Sequence, residues 1–349
     1  MNRTDAVDVL DRMRRAAFAL AWKSSALAFI LEKRARRIEA RAAAAITFAL
    51  TLSIVAPALM LAIGPVVFGV PHVASEVRYL VVRRGLGRGF VGAVVLLCAS
   101  IASLRVAASL TNAPIFFARA EVAVGLAFIL SGGILALARG GQRSRFVLIF
   151  TMIGAAASLA FLHPIFARLF FVHVHNFGAL VLWMAFFRKK RGLPWLVLTL
   201  LVGSVALLVS GVTVPWTTRI GALHSFGVDV ADVAGWLTPG VAARVAVPLA
   251  LVHAFSDSVH YTTWLSVIPE EESRAEGSLT FRMTVRSLVA DFGRVGVALV
   301  FGALAIVLIC AAVNLAATRA LYFSIAGFHG YLELAILAYV ITRETKSKG

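Results

Sequence analysis

Long apolar runs alternate with short basic ones along most of the chain. Stretches such as FVGAVVLLCASIASL and VGVALVFGALAIVLICAAV hold few polar residues over a length close to that needed to cross a bilayer, about 20 residues in a helix. Ten such segments can be drawn, at 42–62, 65–82, 89–110, 115–137, 146–167, 169–187, 194–214, 241–268, 294–317 and 320–342. The pattern predicts an all-α, polytopic integral membrane protein, because a helix satisfies its backbone hydrogen bonds within one lipid-exposed segment. A single transmembrane helical domain is expected over 41–343, with a basic amphipathic segment at 1–40 and a short basic tail at 344–349.

Composition agrees with the pattern, and charge orients it. The chain has 349 residues, is 60% apolar and has a mean hydropathy of +0.89, against an apolar share of about 45–50% in soluble domains. Its net charge of +17 falls in alternate connections, among them EKRARRIEAR, RRGLGR, RGGQRSR and RKKRG. The intervening joins, such as TNAP, are almost free of Lys and Arg. That is the positive-inside arrangement, and it predicts cytoplasmic N and C termini in a membrane such as the bacterial inner membrane. Nucleic-acid binding is not expected, since it would gather the bases on one folded face. The first 40 residues lack the layout of a cleaved signal and read as a basic helix lying on the membrane surface.

Other local expectations follow. PEEESRAEG reads as a solvated loop, and GVDVADVAGWLTPG as a short helix on the outer surface or re-entering it. Trp195, Trp216, Trp236 and Trp264 fall near segment ends, where an indole suits the headgroup level. Cys98 and Cys310 lie inside apolar runs and suit neither a disulfide framework nor a zinc motif.

The chemistry lies in the polar residues within the spans. An ionisable group at a helix centre costs at least about 2.5–3.5 kcal/mol on insertion scales, so each needs a partner or a role. In HAFSDSVH, His253, Asp257 and His260 recur at i, i+4 and i+7 and share one helical face. In GVPHVASEV, His72 and Glu76 are four apart; in FHGYLEL, His329 and Glu333 repeat that spacing. In FVHVHNF, His173 and His175 lie about 200° apart on a regular helix, while His173 and Asn176 share a face. Given the inferred topology, most of these groups fall between the outer third of the membrane and its midplane, with His260 about two turns deeper.

Each residue has an ordinary reading. A His–Glu pair inside a membrane can be an interhelical hydrogen bond, His163 a helix-end contact and His224 a solvated loop residue. Arg105, Arg119 and Glu121 are expected to pair among themselves or snorkel. The sum points further: His72, His173, His175, His253, His260 and His329 lie on four spans with Glu76, Asp257 and Glu333 at ligand-like spacing. Imidazole with carboxylate and no thiolate suits a non-haem transition metal, iron foremost, in one- or two-ion form. His72, His253 and His329 are the leading ligand candidates, with His173 or His175 next. Asp257, Glu76 and Glu333 would ligate or orient. The same residues would also serve a proton- or cation-coupled transporter, with His253, Asp257 and His260 as its path. Two of the histidines on facing helices would serve a haem-binding electron-transfer protein.

One stretch, FGVPHVASEVRYLVVRR, resembles the signature of the Brp/Blh-type membrane β-carotene 15,15'-dioxygenase family: an apolar lead into Gly-x-Pro-His, with an acidic residue four positions after the His. The family usually has Gly-Ala-Leu-Asp after that His, where this chain has Val-Ala-Ser-Glu. FHGYLEL is similar to the family's final-helix histidine motif. The resemblance covers about 20 residues. It implies an iron-dependent oxygenase that takes dioxygen and a long apolar, carotenoid-like or lipidic substrate from the bilayer, with His72 and His329 as iron ligands and Glu76 in the place of the aspartate.

Overall fold

The computed structural model describes residues 6–111, 114–188, 192–273 and 280–343; the expected tail at 344–349 lies outside them. Helix dominates the described residues. Seven helices are long and apolar enough to cross a membrane: Arg34–Val55, Pro57–Val82, Gly89–Ala108, Phe116–Ala138, Arg143–Leu162, Phe281–Val313 and Leu315–Arg343. Two shorter apolar helical stretches, His173–Phe187 and Trp195–Val209, join them.

The chain opens with α1 (Ala6–Ala21) and α2 (Ser25–Glu32), the latter capped by Ser24, whose side chain accepts from Leu27 N. Helices α3 (Arg34–Val55) and α4 (Pro57–Val77) follow, and α4 runs on through a π-helical turn, Arg78–Val82. Next come α5 (Arg88–Leu110), α6 (Pro114–Ala138), α7 (Arg143–Leu162) and α8 (Pro164–Leu182), which also ends in a π turn, Trp183–Phe187. After α9 (Trp195–Val209) the chain makes a short helix, α10 (Val214–Arg219), a small hairpin, β1 (His224–Ser225) with β2 (Val228–Asp229), and α11 (Val230–Leu237). Helix α12 (Ala243–Thr262) passes through a third π turn, Thr263–Val267, into α13 (Ile268–Glu272). Helices α14 (Phe281–Val313), α15 (Leu315–Ala326) and α16 (Phe328–Arg343) complete the chain.

Proline, glycine and asparagine set the breaks, and several differ from the expected joins. The first break falls at Ala56, not near residue 63, because Pro57 has no N–H and fits the first position of the next helix. Asn314 ends α14 and caps α15 by accepting from Ala317 N at 3.0 Å. Gly293 has φ 72° and interrupts α14, a conformation that suits glycine. Gly327 separates α15 from α16.

Helix α12 is the most buried of the long helices, packed against α3, α4, α8, α9 and α11. Helices α6 and α16 meet along a strip of small residues. A Cβ on Gly132 would collide with the Ala335 carbonyl oxygen, and one on Gly125 with the Tyr331 ring. Such close backbone approach is how helices associate in lipid, where apolar burial gives no preference for protein over lipid.

Two local expectations are corrected. The start of PEEESRAEG is not a solvated loop: Pro269–Glu272 is helical, and Glu270 and Glu271 are buried. Glu270 Oε1 accepts from Arg37 Nε at 3.2 Å and its Oε2 from Arg41 Nη1 at 3.3 Å, so the basic block of α3 neutralises it. Trp264 does not sit at a membrane interface but is fully buried, whereas Trp195, Trp216 and Trp236 are at least half exposed. The segment GVDVADVAGWLTPG forms the second strand of the hairpin and α11, whose Val230, Val233, Ala234 and Leu237 are buried.

Candidate metal centre

Four histidines from four helices meet inside the bundle: His72 of α4, His175 of α8, His260 of α12 and His329 of α16. Their rings form one cluster, with centroid separations of 4.5 Å for His175–His329, 4.8 Å for His175–His260, 5.0 Å for His72–His329 and 5.2 Å for His72–His260. His329 Nε2 lies 2.9 Å from His175 Nε2 and 3.4 Å from His72 Nε2. Two groups have donor atoms within 4.8 Å of one another and could hold a metal ion: His72, His260 and His329, and His175, His260 and Glu333. They share His260.

Hydrogen bonds fix which nitrogen is protonated in two of the rings. His72 Nδ1 donates to the Phe68 carbonyl oxygen, one turn back in its own helix, at 2.9 Å. His329 Nδ1 donates to the Ala326 carbonyl oxygen. A carbonyl can only accept, so each neutral ring carries its proton on Nδ1 and a lone pair on Nε2. His175 Nδ1 lies 3.1 Å from Glu333 Oε2, and Glu333 Oε1 accepts from Trp264 Nε1 at 2.5 Å. The first contact is close but is not a hydrogen bond: His175 Nδ1 and Glu333 Oε2 are both buried with no hydrogen-bond partner among the described residues. The Nε2 lone pairs of His72 and His329 then face each other at 3.4 Å, an arrangement that a shared cation would relieve. Donors about 2.0–2.1 Å from one ion stand about 3.0–3.4 Å apart, so the spacing fits a shared metal. A carboxylate behind a ligating imidazole is the usual outer support of such a site.

Two further groups lack ordinary partners. Both nitrogens of His260 are buried with no hydrogen-bond partner, although Nδ1 lies 3.9 Å from Glu333 Oε1. Both oxygens of Glu76 are buried with no hydrogen-bond donor. Such orphaned groups are rare and mark a place where a ligand or ion belongs.

The remaining candidates form a second cluster beside the first. Asn176 Nδ2 donates to Asp257 Oδ1 and to Ser256 Oγ at 3.0 Å, and lies 3.3 Å from His253 Nδ1. His253 Nδ1 is 3.5 Å from Asp257 Oδ1, and the His173 and His253 rings are 6.2 Å apart. Helix α8 is regular here, so the angle between His173 and His175 sends one to each cluster. The structure therefore places His260 with His72 and His329, and places His253 with Asn176. Among the described residues, His253, His173 and Asp257 belong to neither metal-compatible group. Trp264 and Ser75 are contributors that spacing did not single out as chemistry: Trp264 holds Glu333, and Ser75 Oγ donates to the Trp264 carbonyl oxygen at 2.6 Å. The periodicity signal for Trp264 was its place in line with His253 and His260.

Backbone without side chains makes room for the cluster. A Cβ on Gly330 would stand 3.0 Å from the His175 ring, and one on Gly178 would stand 2.8 Å from Glu333 Oε2. The three helices that carry His72, His175 and His260 also each end in a π turn, a feature common near functional sites. Of the other polar groups, Arg105 clasps Glu121 through two bonds, 2.9 and 2.7 Å, and also donates to the Phe323 carbonyl oxygen. His224 is exposed and lies 3.7 Å from Asp229 in the hairpin.

Compared with protein-family models, with curated proteins and with solved structures, the chain matches none.

Proposed function

We propose that the chain is a membrane-embedded, non-haem metal oxygenase whose ion is held by His72, His175, His260 and His329. The observation that carries this reading is the opposed pair of Nε2 lone pairs of His72 and His329 at 3.4 Å, each turned inward by a bond on the other ring nitrogen, next to the buried rings of His175 and His260. An all-imidazole set without thiolate suits iron, the metal that the resemblance of GVPHVASEV also implies. When bound, such an ion supplies activation of dioxygen.

The chain's own residues would do the rest. Glu333, anchored by Trp264, stands 3.1 Å behind His175 Nδ1, where a carboxylate would support a ligating imidazole. Glu76, one turn from His72 on α4, offers a buried carboxyl with no hydrogen-bond partner among the described residues, which could accept or donate a proton. The apolar walls of the bundle exclude water and bind a long apolar substrate in register, carotenoid-like or lipidic, reached sideways from the bilayer. The positive-inside pattern puts both termini in the cytoplasm and gives an even number of crossings, ten by the hydropathy reading.

A haem reading fits less well. His175 and His329 approach to 2.9 Å, which leaves no space for a macrocycle between them. The transporter reading keeps His253 and Asp257, but Asn176 already donates to Asp257 and lies 3.3 Å from His253 Nδ1.

The test is metal content of the purified full-length protein, wild type against a His72→Ala, His329→Ala double variant, with an absorption spectrum. The expected result is stoichiometric metal without a Soret band in the wild type and its loss in the variant. Equal metal in both, or none in either, would remove the proposal. Dioxygen uptake with a solubilised polyene then tests the oxygenase step.

A further inference from the structure

Glu333 and His175 stand together without bonding. His175 Nδ1 lies 3.1 Å from Glu333 Oε2, yet neither buried atom has a hydrogen-bond partner among the described residues. His260 Nδ1, also buried and without a partner, lies 3.9 Å from Glu333 Oε1. Glu333 itself is fixed, since its Oε1 accepts from Trp264 Nε1 at 2.5 Å. Two glycines keep the space around these atoms open. A Cβ on Gly178 would stand 2.8 Å from Glu333 Oε2, and one on Gly330 would stand 3.0 Å from His175 Nδ1. Donor atoms of His175, His260 and Glu333 all lie within 4.8 Å of one another. So do those of His72, His260 and His329, but among the described residues no single group joins all five side chains. A single ion cannot take every donor.

We propose that the centre holds two metal ions, the second on His175 Nδ1, His260 Nδ1 and Glu333 Oε2, with His260 bridging to the first. The proposal rests on the metal-centre reading and divides the ligands of that centre: His72 and His329 serve the first ion, His175 with Glu333 the second, and His260 both. Both nitrogens of His260 are buried without a partner. An imidazole bound to one ion only would still carry a proton on its other nitrogen and need an acceptor for it. As a bridge, His260 is an imidazolate, and its ring proton is released to solvent when the second ion binds. An ion on one ring nitrogen makes the N–H on the other more acidic, so the first ion binds before the second. Glu333, the imidazolate and Glu76, whose carboxyl is one turn from His72 and also without a partner, offset most of the positive charge that two divalent ions bring into the bundle. Two imidazoles with one carboxylate and open positions is the donor set of non-haem iron(II) oxygenase sites, which makes iron(II) the fitting ion.

The full chain, stripped with a chelator in detergent, titrated anaerobically with iron(II) and desalted, tests this by mass spectrometry of the metal. The wild type should retain two ions per chain, the second more weakly than the first. Glu333→Gln keeps the side-chain shape and the bond from Trp264 but not the carboxylate, and should retain one. Gly178→Ala leaves every ligand in place but crowds Glu333 Oε2, and should also retain one. Asp257→Asn, in the neighbouring cluster, should retain two. One ion in the wild type would overturn the proposal and leave a single-ion centre standing; none would remove the metal reading itself and this proposal with it. Any count but one in a Glu333→Gln or Gly178→Ala protein that elutes and unfolds as the wild type does would also overturn it, as would the loss of an ion from Asp257→Asn. The wild-type count decides the matter should a variant fail to fold.

Discussion

The four clustered imidazoles divide into members with an obvious internal bond and one without. His72 and His329 each have Nδ1 engaged by a carbonyl oxygen and Nε2 turned inward, His175 has no hydrogen-bond partner at Nδ1, and His260 has neither nitrogen engaged and belongs to both metal-compatible groups. His260→Ala should therefore lose more than about 90% of bound metal by mass spectrometry of the metal, while His253→Ala, whose ring faces Asn176, should keep it. Equal loss in both would move the site to the second cluster. Trp264→Phe keeps an aromatic ring, though a smaller one, and removes the N–H that holds Glu333. Loss of such an outer support usually costs about 10–100-fold in metal affinity, and a competition titration with a chelator would read it. Unchanged affinity would show that Glu333 needs no anchor.

At the scale of the helix, two contacts decide whether those residues can meet. The first is the ion pair of α5 with α6, where Arg105 makes two bonds to Glu121 and a third to the carbonyl oxygen of Phe323 in α15. Removing one partner of a fully buried pair costs about 3–5 kcal/mol, whereas replacing both by apolar residues is often near neutral; for this part-buried pair the loss should be smaller with the same sign. Glu121→Leu should thus lower the thermal unfolding midpoint, and adding Arg105→Met should recover most of the loss. A double variant worse than the single one would count against this account. The second contact is the glycine strip of α6. Gly132→Val would push α16 away from its seat on Ala335, and with it His329 and Glu333. Both stability and metal content should fall together; metal retained in a destabilised protein would separate the strip from the site.

At the scale of the molecule, orientation is open to direct measurement. Single cysteines placed at positions 141 and 346 of a chain lacking Cys98 and Cys310 should react with an impermeant thiol reagent only from the cytoplasmic side, and one at 112 only from the other. Labelling of 141 and 112 from one side would break the alternation of basic loops on which the topology rests. How far the sequence reaches is clear from particular segments. Hydropathy located nearly every long helix, since lipid accepts only segments that close their own hydrogen bonds. It failed where local chemistry overrides the mean. Pro57 moved a break by several residues, and PEEE folded onto three arginines that lie more than 220 positions earlier.

Spacing within one helix was legible from the start: His72 with Glu76, His329 with Glu333, and His253 with Asp257 and His260 follow from about 3.6 residues per turn. So was the presence of ionisable groups in hydrocarbon, which the cost of burying charge makes conspicuous. Which residues of different helices face one another was not legible, because it depends on the rotation and depth of each helix, set by small-residue packing and not by hydrophobicity. Tertiary structure alone placed His260 at the centre and His253 beside Asn176, and turned Trp264 from an interfacial residue into the anchor of Glu333. One-dimensional periodicity fixes a face of each helix, while the choice of partner across a bundle is a property of the assembled whole.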